Sequence, residues 1–155
     1  MYLLRSLAIA ISMYSKIPAP MVEWNEKNMK YAMCFFPVVG AVTGGLQLLI
    51  GYFLLEYTSC GNLFFAIAMA LIPVLVSGGI HLDGFAVTVD ALISYGDRVK
   101  KLEILKEPNT GAFDVFGLCV YFLADVALWS EVPIVLLPVI SCTFWLSRAL
   151  IVIYV

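Results

Sequence analysis

Long stretches without charged residues constrain this chain more than any other feature of its sequence. Residues 31–55 and 62–80 contain no Asp, Glu, Lys or Arg. Two further apolar stretches, 112–129 and 134–155, together contain only three charged residues. Each of the four is close to the roughly 20 apolar residues that cross a bilayer as a helix. The sequence therefore predicts four membrane-spanning helices.

The composition supports the same fold class. The 155 residues are 63% hydrophobic and 13% charged, with a mean hydropathy of +0.98, whereas a soluble domain is about half apolar and a quarter charged. We predict an all-α polytopic membrane bundle formed by one domain, residues 1–155, with the lipid bilayer as its partner. The net charge of −2 gives no basic surface for nucleic acid. The four cysteines include no CxxC pair, so we expect small buried hydrophobes and not zinc ligands.

Two shorter helices complete the predicted bundle. Residues 2–15 are apolar but too short for an ordinary span, and the prolines of 16–20 end them. The polar stretch 81–111 contains Leu102, Ile104 and Leu105 among charged residues. This pattern predicts a short amphipathic helix at the membrane surface.

The basic residues predict an orientation. Lys16, Lys27 and Lys30 precede the first span, and further basic residues between positions 98 and 106 follow the second. The other two connections, 56–61 and 130–133, contain no Lys or Arg. Because basic loops of membrane proteins face the cytoplasm, the stretch that follows the second span is predicted to be cytoplasmic in a prokaryotic cell membrane.

That stretch contains the polar cluster in which we expect the chemistry. His81 is the only histidine, and Asp83 and Asp90 lie seven residues apart, which places them on one face of a helix. Carboxylates suit Mg²⁺, which binds one or two of them together with substrate phosphates. Histidine can act as acid, base or phosphate donor. The alternative from spacing alone is a solvated helix start with Asp83 as the N-cap.

Arg148 is the other residue that stands out, because it lies well inside the last span. A charge in the membrane costs about 2.5–3.5 kcal/mol on insertion scales and is a functional candidate by default. Two interpretations stay open at this point. Arg148 either forms a buried ion pair with Asp114 or Asp125, or it binds a substrate phosphate. For Asp114 and Asp125 we favour structural roles, facing the bundle.

Several motifs resemble one protein family along the whole chain. Residues 78–90, GGIHLDGFAVTVD, resemble the signature of cobalamin synthase, also called adenosylcobinamide-GDP ribazoletransferase. Four further segments resemble the same family in the same order, namely KIPAP at 16–20, FPVVG at 36–40, KLEILKEPNTGAF at 101–113 and the Ser147–Arg148 pair.

The resemblance implies a membrane enzyme of late cobalamin biosynthesis. It joins adenosylcobinamide-GDP to α-ribazole or its 5′-phosphate, releases GMP and depends on Mg²⁺. The implied catalytic residues are His81, Asp83 and Asp90, and the two aspartates are also the implied metal ligands. The predicted substrate-binding residues are Gly84, Arg98, Lys101, Glu103 and Arg148. A homo-oligomer is left open.

This chain departs from the family pattern at Val87, where the family has an aspartate. Positions 83, 87 and 90 would form a row on a helix, and without the middle carboxylate Asp83 and Asp90 are about 10 Å apart along the axis. Since a Mg²⁺–oxygen bond is only about 2.1 Å long, we expect weakened metal binding.

Length is the second departure, because chains of this family are considerably longer. We expect a fragment, a truncated product or a half that needs a partner, with doubtful activity on its own. The alternatives are an inactive remnant of the enzyme, a transporter or channel fragment with charges along an ion path, and a phosphotransferase for CDP-linked alcohols. The order His-Leu-Asp-Gly argues against the last.

Overall fold

The chain folds into helices joined by short connections. The structure is a computed structural model that describes residues 2–29, 31–106 and 111–154, and within these ranges it contains no strand. The helices are α1 (Tyr2–Tyr14), α2 (Glu26–Met29), α3 (Phe36–Tyr57), α4 (Asn62–Ser77), α5 (Ile80–Ile93), α6 (Arg98–Ile104), α7 (Ala112–Ser130) and α8 (Leu137–Tyr154). Short 3-10 turns, Met33–Phe35 and Ile134–Leu136, lead into α3 and α8. Lys30 and the motif residues 107–110 lie outside the described residues.

The all-α membrane bundle is confirmed. Three helical segments, Met33–Tyr57, Ala112–Ser130 and Ile134–Ile153, are long and apolar enough to cross a membrane. A fourth span exists if α4 and α5 count as one segment, and these two helices meet at an angle of 97°. The helix predicted over 62–80 therefore ends at Ser77, and Ile80 already belongs to α5. The predicted short helices are present as α1 and α6.

Two consecutive glycines turn the chain between α4 and α5. Gly78 and Gly79 have φ of +68° and +81°, in the left-handed region that costs other residues roughly 1–2 kcal/mol. The Gly79 N–H donates to the Val74 carbonyl at 3.1 Å, as in a Schellman helix end. The Lys16 N–H donates to the Val76 carbonyl at 2.8 Å. The last carbonyls of α4 thus find donors although the helix does not continue.

A glycine face joins α3 to α8, which is the most extensive helix pair in the bundle. A Cβ on Gly40 or Gly44 would collide with the backbone of α8, at the carbonyl oxygens of Phe144 and Ser141 respectively. Gly45 has open space. Gly40 and Gly44 form a GxxxG motif, which lets the two backbones approach closely.

The remaining packing places α4 in the middle of the bundle, in contact with both α3 and α7, while α5 packs against α7. The apolar core lies where α4 meets its neighbours and consists of Phe65, Ala66, Met69, Ala70, Ile72, Trp129 and Leu137. The expectation of buried cysteines is wrong for Cys34, Cys119 and Cys142, which are exposed on the outer surface of the bundle.

One buried side chain compensates for a proline inside α4. Pro73 has no N–H, so the Met69 carbonyl four residues earlier loses its usual helix donor. Gln47 of α3, which is fully buried, donates its Nε2–H to that carbonyl at 3.0 Å. An unsatisfied carbonyl in a membrane interior is costly. Gln47 thus links α3 to α4 where α4 is weakest.

We predict that Gln47→Met destabilises the bundle by about 1–3 kcal/mol, since it leaves the Met69 carbonyl buried without a donor. Pro73→Ala in the same background should recover most of the loss, because an alanine at this position supplies the missing helix N–H. Unfolding in mixed detergent micelles measures both effects, with Pro73→Ala alone as the control. A Gln47→Met/Pro73→Ala chain as unstable as Gln47→Met would contradict this account.

Candidate functional site

The turn at Gly78 and Gly79 places His81 in the first turn of α5, beside α3. The N-cap of α5 is Gly79, whose carbonyl accepts the Asp83 N–H at 2.9 Å. Asp83 is thus not the N-cap, and that alternative is wrong. The His81 ring lies 6.2 Å from the Phe36 ring, centroid to centroid. No described residue forms a hydrogen bond with its nitrogens, so they are available to a ligand.

His81 and Arg148 line one cavity of about 270 Å³. Residues of α4, α5, α7 and α8 form its wall, and they are Pro73, Val74, Ser77, His81, Leu82, Phe85, Tyr121, Phe144 and Arg148. The cavity therefore lies where the bend brings the start of α5 towards the second half of α8. Its polar groups are a hydroxyl, an imidazole, a phenol and a guanidinium, a set suited to an anion.

Arg148 has no carboxylate partner in the part of the chain that the structure describes. Its Nη1 donates to the Ser147 hydroxyl at 3.0 Å and to the Phe144 carbonyl at 3.4 Å. Its guanidinium carbon lies 5.3 Å from the centre of the Phe144 ring, a cation–π arrangement. An ion pair with Asp114 or Asp125 is thus not formed, and phosphate binding by Arg148 stays a prediction.

The two signature aspartates occupy different surroundings on α5. Asp83 is exposed in the first turn, whereas Asp90 is half-buried near the end of the helix. A Cβ on Gly111, just before α7, would lie 2.6 Å from Asp90 Oδ2 and closer still to Oδ1. The Asp90 carboxylate therefore lies against the start of α7, away from the cavity.

Mg²⁺ fits these aspartates only one at a time. Seven residues of helix separate them by about 10 Å along the axis, and Mg²⁺ bonds are about 2.1 Å long. Among residues 2–29, 31–106 and 111–154, no group of three His, Cys, Asp or Glu side chains could hold a metal ion. Asp83 is exposed and does not line the cavity, because side chains two residues apart on a helix lie on different faces.

The other predicted substrate-binding residues are not brought to the cavity. Arg98, Lys101 and Glu103 lie on α6, which packs against α5. The Lys101 ammonium donates to the Leu92 carbonyl at 3.0 Å and so satisfies the C-terminal end of α5. Gly84 is exposed, and its carbonyl accepts the Thr88 hydroxyl at 2.7 Å.

Four residues near α5 were missed by the sequence reasoning as candidates. Ser77 and Tyr121 line the cavity, and the aliphatic part of Lys16 lies over Gly78. Asp114 lies at the start of α7, where its Oδ2 accepts the Gly111 N–H at 2.9 Å. Two of them carried a signal in the sequence, since Lys16 begins the KIPAP motif and Asp114 is a charged residue in an apolar span. The positions of Ser77 and Tyr121 in the cavity depend on contacts between helices that are distant in the sequence.

Comparison with known proteins identifies the family. The sequence pattern of a family described as cobalamin-5-phosphate synthase matches residues 6–155. The chain belongs to this family. A relative named adenosylcobinamide-GDP ribazoletransferase from Lachnoclostridium phytofermentans is 46% identical over 150 residues, which are 95% of this chain and 56% of that protein.

More distant relatives in the family carry the same name. One from Clostridium botulinum is 34% identical over 147 residues, 90% of this chain and 58% of its own length. One from Listeria monocytogenes is 34% identical over 131 residues, 84% of this chain and 52% of its own length. The chain therefore spans a little over half the length of the curated relatives it matches. No solved structure matches it significantly.

Proposed function

We propose that this chain carries the phosphate-binding part of an adenosylcobinamide-GDP ribazoletransferase, with adenosylcobinamide-GDP and α-ribazole or its 5′-phosphate as substrates. The observation that carries the proposal is the shared cavity of His81 and Arg148, residues distant in the sequence. The names of the relatives supply the substrates.

The cavity fits the reacting phosphates and not a whole substrate. Its volume of about 270 Å³ is below the roughly 300–1,000 Å³ of pockets that enclose drug-sized ligands. A guanidinium without a carboxylate partner attracts a phosphate strongly, because its charge is not already neutralised and its N–H groups match phosphate oxygens. We therefore assign the diphosphate to the cavity and the bulky cobinamide and nucleoside groups to its surroundings.

The transfer then uses His81 as general base. A hydroxyl of α-ribazole attacks the phosphorus attached to cobinamide, a new O–P bond forms, and the bond from that phosphorus to the leaving GMP oxygen breaks. His81 accepts the proton of the attacking hydroxyl. Arg148 holds the phosphate oxygens and stabilises the charge that develops on them.

Mg²⁺ remains the proposed cofactor, and Asp83 is the ligand nearest to His81 in the helix. When bound, Mg²⁺ would neutralise phosphate charge during the transfer. Asp90 lies two turns further along α5, and its carboxylate contacts the start of α7. We therefore do not assign it to the same ion.

We also propose that this site faces the cytoplasm, since Lys16 and the basic residues of α6 lie near α5 on the same side of the predicted spans. An Asp97→Cys chain without its native cysteines should react with a membrane-impermeant maleimide in inverted vesicles and not in right-side-out vesicles. The opposite labelling pattern would overturn the orientation. A homo-oligomer stays a prediction.

We predict that membranes containing this chain release GMP from adenosylcobinamide-GDP only when α-ribazole and Mg²⁺ are present. Arg148→Gln should lower the rate by about 10²-fold, the loss typical for removal of one group that stabilises transition-state charge. Because Arg148 has no carboxylate partner among the described residues, Arg148→Gln leaves no described anion buried without its partner. We therefore expect its unfolding free energy to stay within about 1 kcal/mol of the parent chain.

The control for this assay is the Lachnoclostridium phytofermentans relative, in membranes prepared in the same way. GMP release by the relative and none by this chain would reject the chain as a self-sufficient enzyme and favour the inactive-remnant or partner-dependent alternatives. Equal rates for Arg148→Gln and the parent chain would reject the role of Arg148.

We predict that Val87→Asp lowers the Mg²⁺ concentration needed for half-maximal GMP release. The new carboxylate lies one turn from Asp83 on the same side of α5 and completes the row implied by the family signature. Thr88→Asp adds the same charge to the neighbouring position outside this row and is the matched control. Unchanged Mg²⁺ dependence in Val87→Asp, or the same change in Thr88→Asp, would count against the row.

A further inference from the structure

Two carboxylates from different helices meet at Gly111. Asp90 comes from the end of α5, and its carboxylate contacts Gly111 so closely that a Cβ at this position would require the carboxylate to move. Asp114 comes from the first turn of α7, and its Oδ2 accepts the Gly111 N–H at 2.9 Å. Gly111 therefore contacts the Asp90 carboxylate through its Cα and the Asp114 carboxylate through its N–H.

The Asp114 carboxylate is buried and only half satisfied. The residue is 2% exposed, and its Oδ1 forms no hydrogen bond in the described part of the chain. Leaving a charged oxygen buried without a partner is expensive. Since Oδ1 and Oδ2 belong to the same carboxylate, Oδ1 also lies close to Gly111, whose N–H donates to Oδ2. This oxygen therefore has no partner among the described residues and is free to bind a ligand.

The surrounding charges do not neutralise the pair. Within residues 2–29, 31–106 and 111–154, no Lys, Arg or His forms an ion pair with Asp90 or Asp114, and Lys101 donates to the Leu92 carbonyl instead. The N-terminus of α7 contributes only about half a positive charge. Two ionised carboxylates therefore leave an excess of negative charge at this junction, which a divalent cation would remove.

We propose that Asp90 and Asp114 together bind one divalent cation of the Mg²⁺ class at the junction of α5 and α7. Two carboxylates completed by water are an ordinary ligand set for such an ion. His81 lies about 13 Å from Asp90 along α5, at 1.5 Å per residue. The ion is therefore separate from the reacting phosphates. It links the C-terminal end of α5 to the start of α7 and so stabilises the position of α5 after the bend.

The test measures Mn²⁺ binding to the purified full chain in detergent micelles, without substrate, through the electron paramagnetic resonance signal of free Mn²⁺. The parent chain should bind one Mn²⁺ that Mg²⁺ displaces, and Asp114→Asn should weaken the affinity at least tenfold. Asparagine keeps an oxygen acceptor for the Gly111 N–H, so the helix cap survives. Asp90→Asn should have the same effect.

Two matched variants locate the ion. Asp125→Asn removes another half-buried acid of α7, and Asp83→Asn removes the exposed acid of α5; both should keep the parent affinity. Mg²⁺ should also raise the melting temperature of the parent chain but not that of Asp114→Asn. Mn²⁺ binding and the melting temperature do not depend on GMP release. The cation site can therefore be confirmed even if the proposed function fails.

Two outcomes would overturn the proposal. One is parent-like Mn²⁺ affinity in Asp114→Asn, with or without a loss in Asp83→Asn, because the ion would then be held elsewhere. The other is no Mn²⁺ binding by the parent chain at millimolar concentrations, because Asp90 and Asp114 would then not form a cation site.

Discussion

Backbone hydrogen bonding in an apolar surrounding is the constraint on which the site depends. A helix that stops in or near a membrane exposes its last carbonyls, and each needs a donor. Here α4 stops at Ser77 because Gly78 and Gly79 adopt left-handed conformations and the Lys16 N–H reaches the Val76 carbonyl. Without these donors α4 would continue as a straight helix, and α5 would not turn towards α7 and α8.

The bend also distributes chemistry along α5. His81 lies at the start of the helix, where α3 and α8 are close, and Asp90 lies near its end, where α7 begins. Asp83 lies near His81 but points away from the buried interior. A single helix thereby serves an anion-binding cavity at one end and an acidic junction at the other, which a straight continuation of α4 would not allow.

Much of this arrangement could be predicted from the sequence, because apolar length determines where helices cross a membrane and small residues determine where they approach. The spans beginning near residues 31, 112 and 134 follow from the first rule. The spacing of Gly40 and Gly44 is typical of a close helix contact, but only the structure shows that the partner is α8. The Gly78–Gly79 pair was visible too. Its 97° turn was not, since two glycines permit many conformations and the neighbouring Lys16 selects one.

The site was harder to predict than the fold. Sequence spacing places residues on one helix face but does not say which faces meet. It therefore left an ion pair with α7 and phosphate binding open for Arg148, which shares a cavity with His81 in the structure. Asp114 was expected to be structural because its spacing from Asp125 places both on one helix face, towards the bundle. Its importance comes from the approach of Asp90, which only the packing of α5 against α7 creates.

The hydrogen bond from Gln47 to the Met69 carbonyl also bears on how the chain enters the bilayer. On its own, α4 has an internal proline and a carbonyl without a donor, so it is a poor candidate for insertion as a lone helix. With α3 beside it, the defect is repaired by a side chain that is itself costly to leave in lipid without a partner. Each helix thus carries a polar group that the other satisfies, which favours their transfer from the translocon as a hairpin.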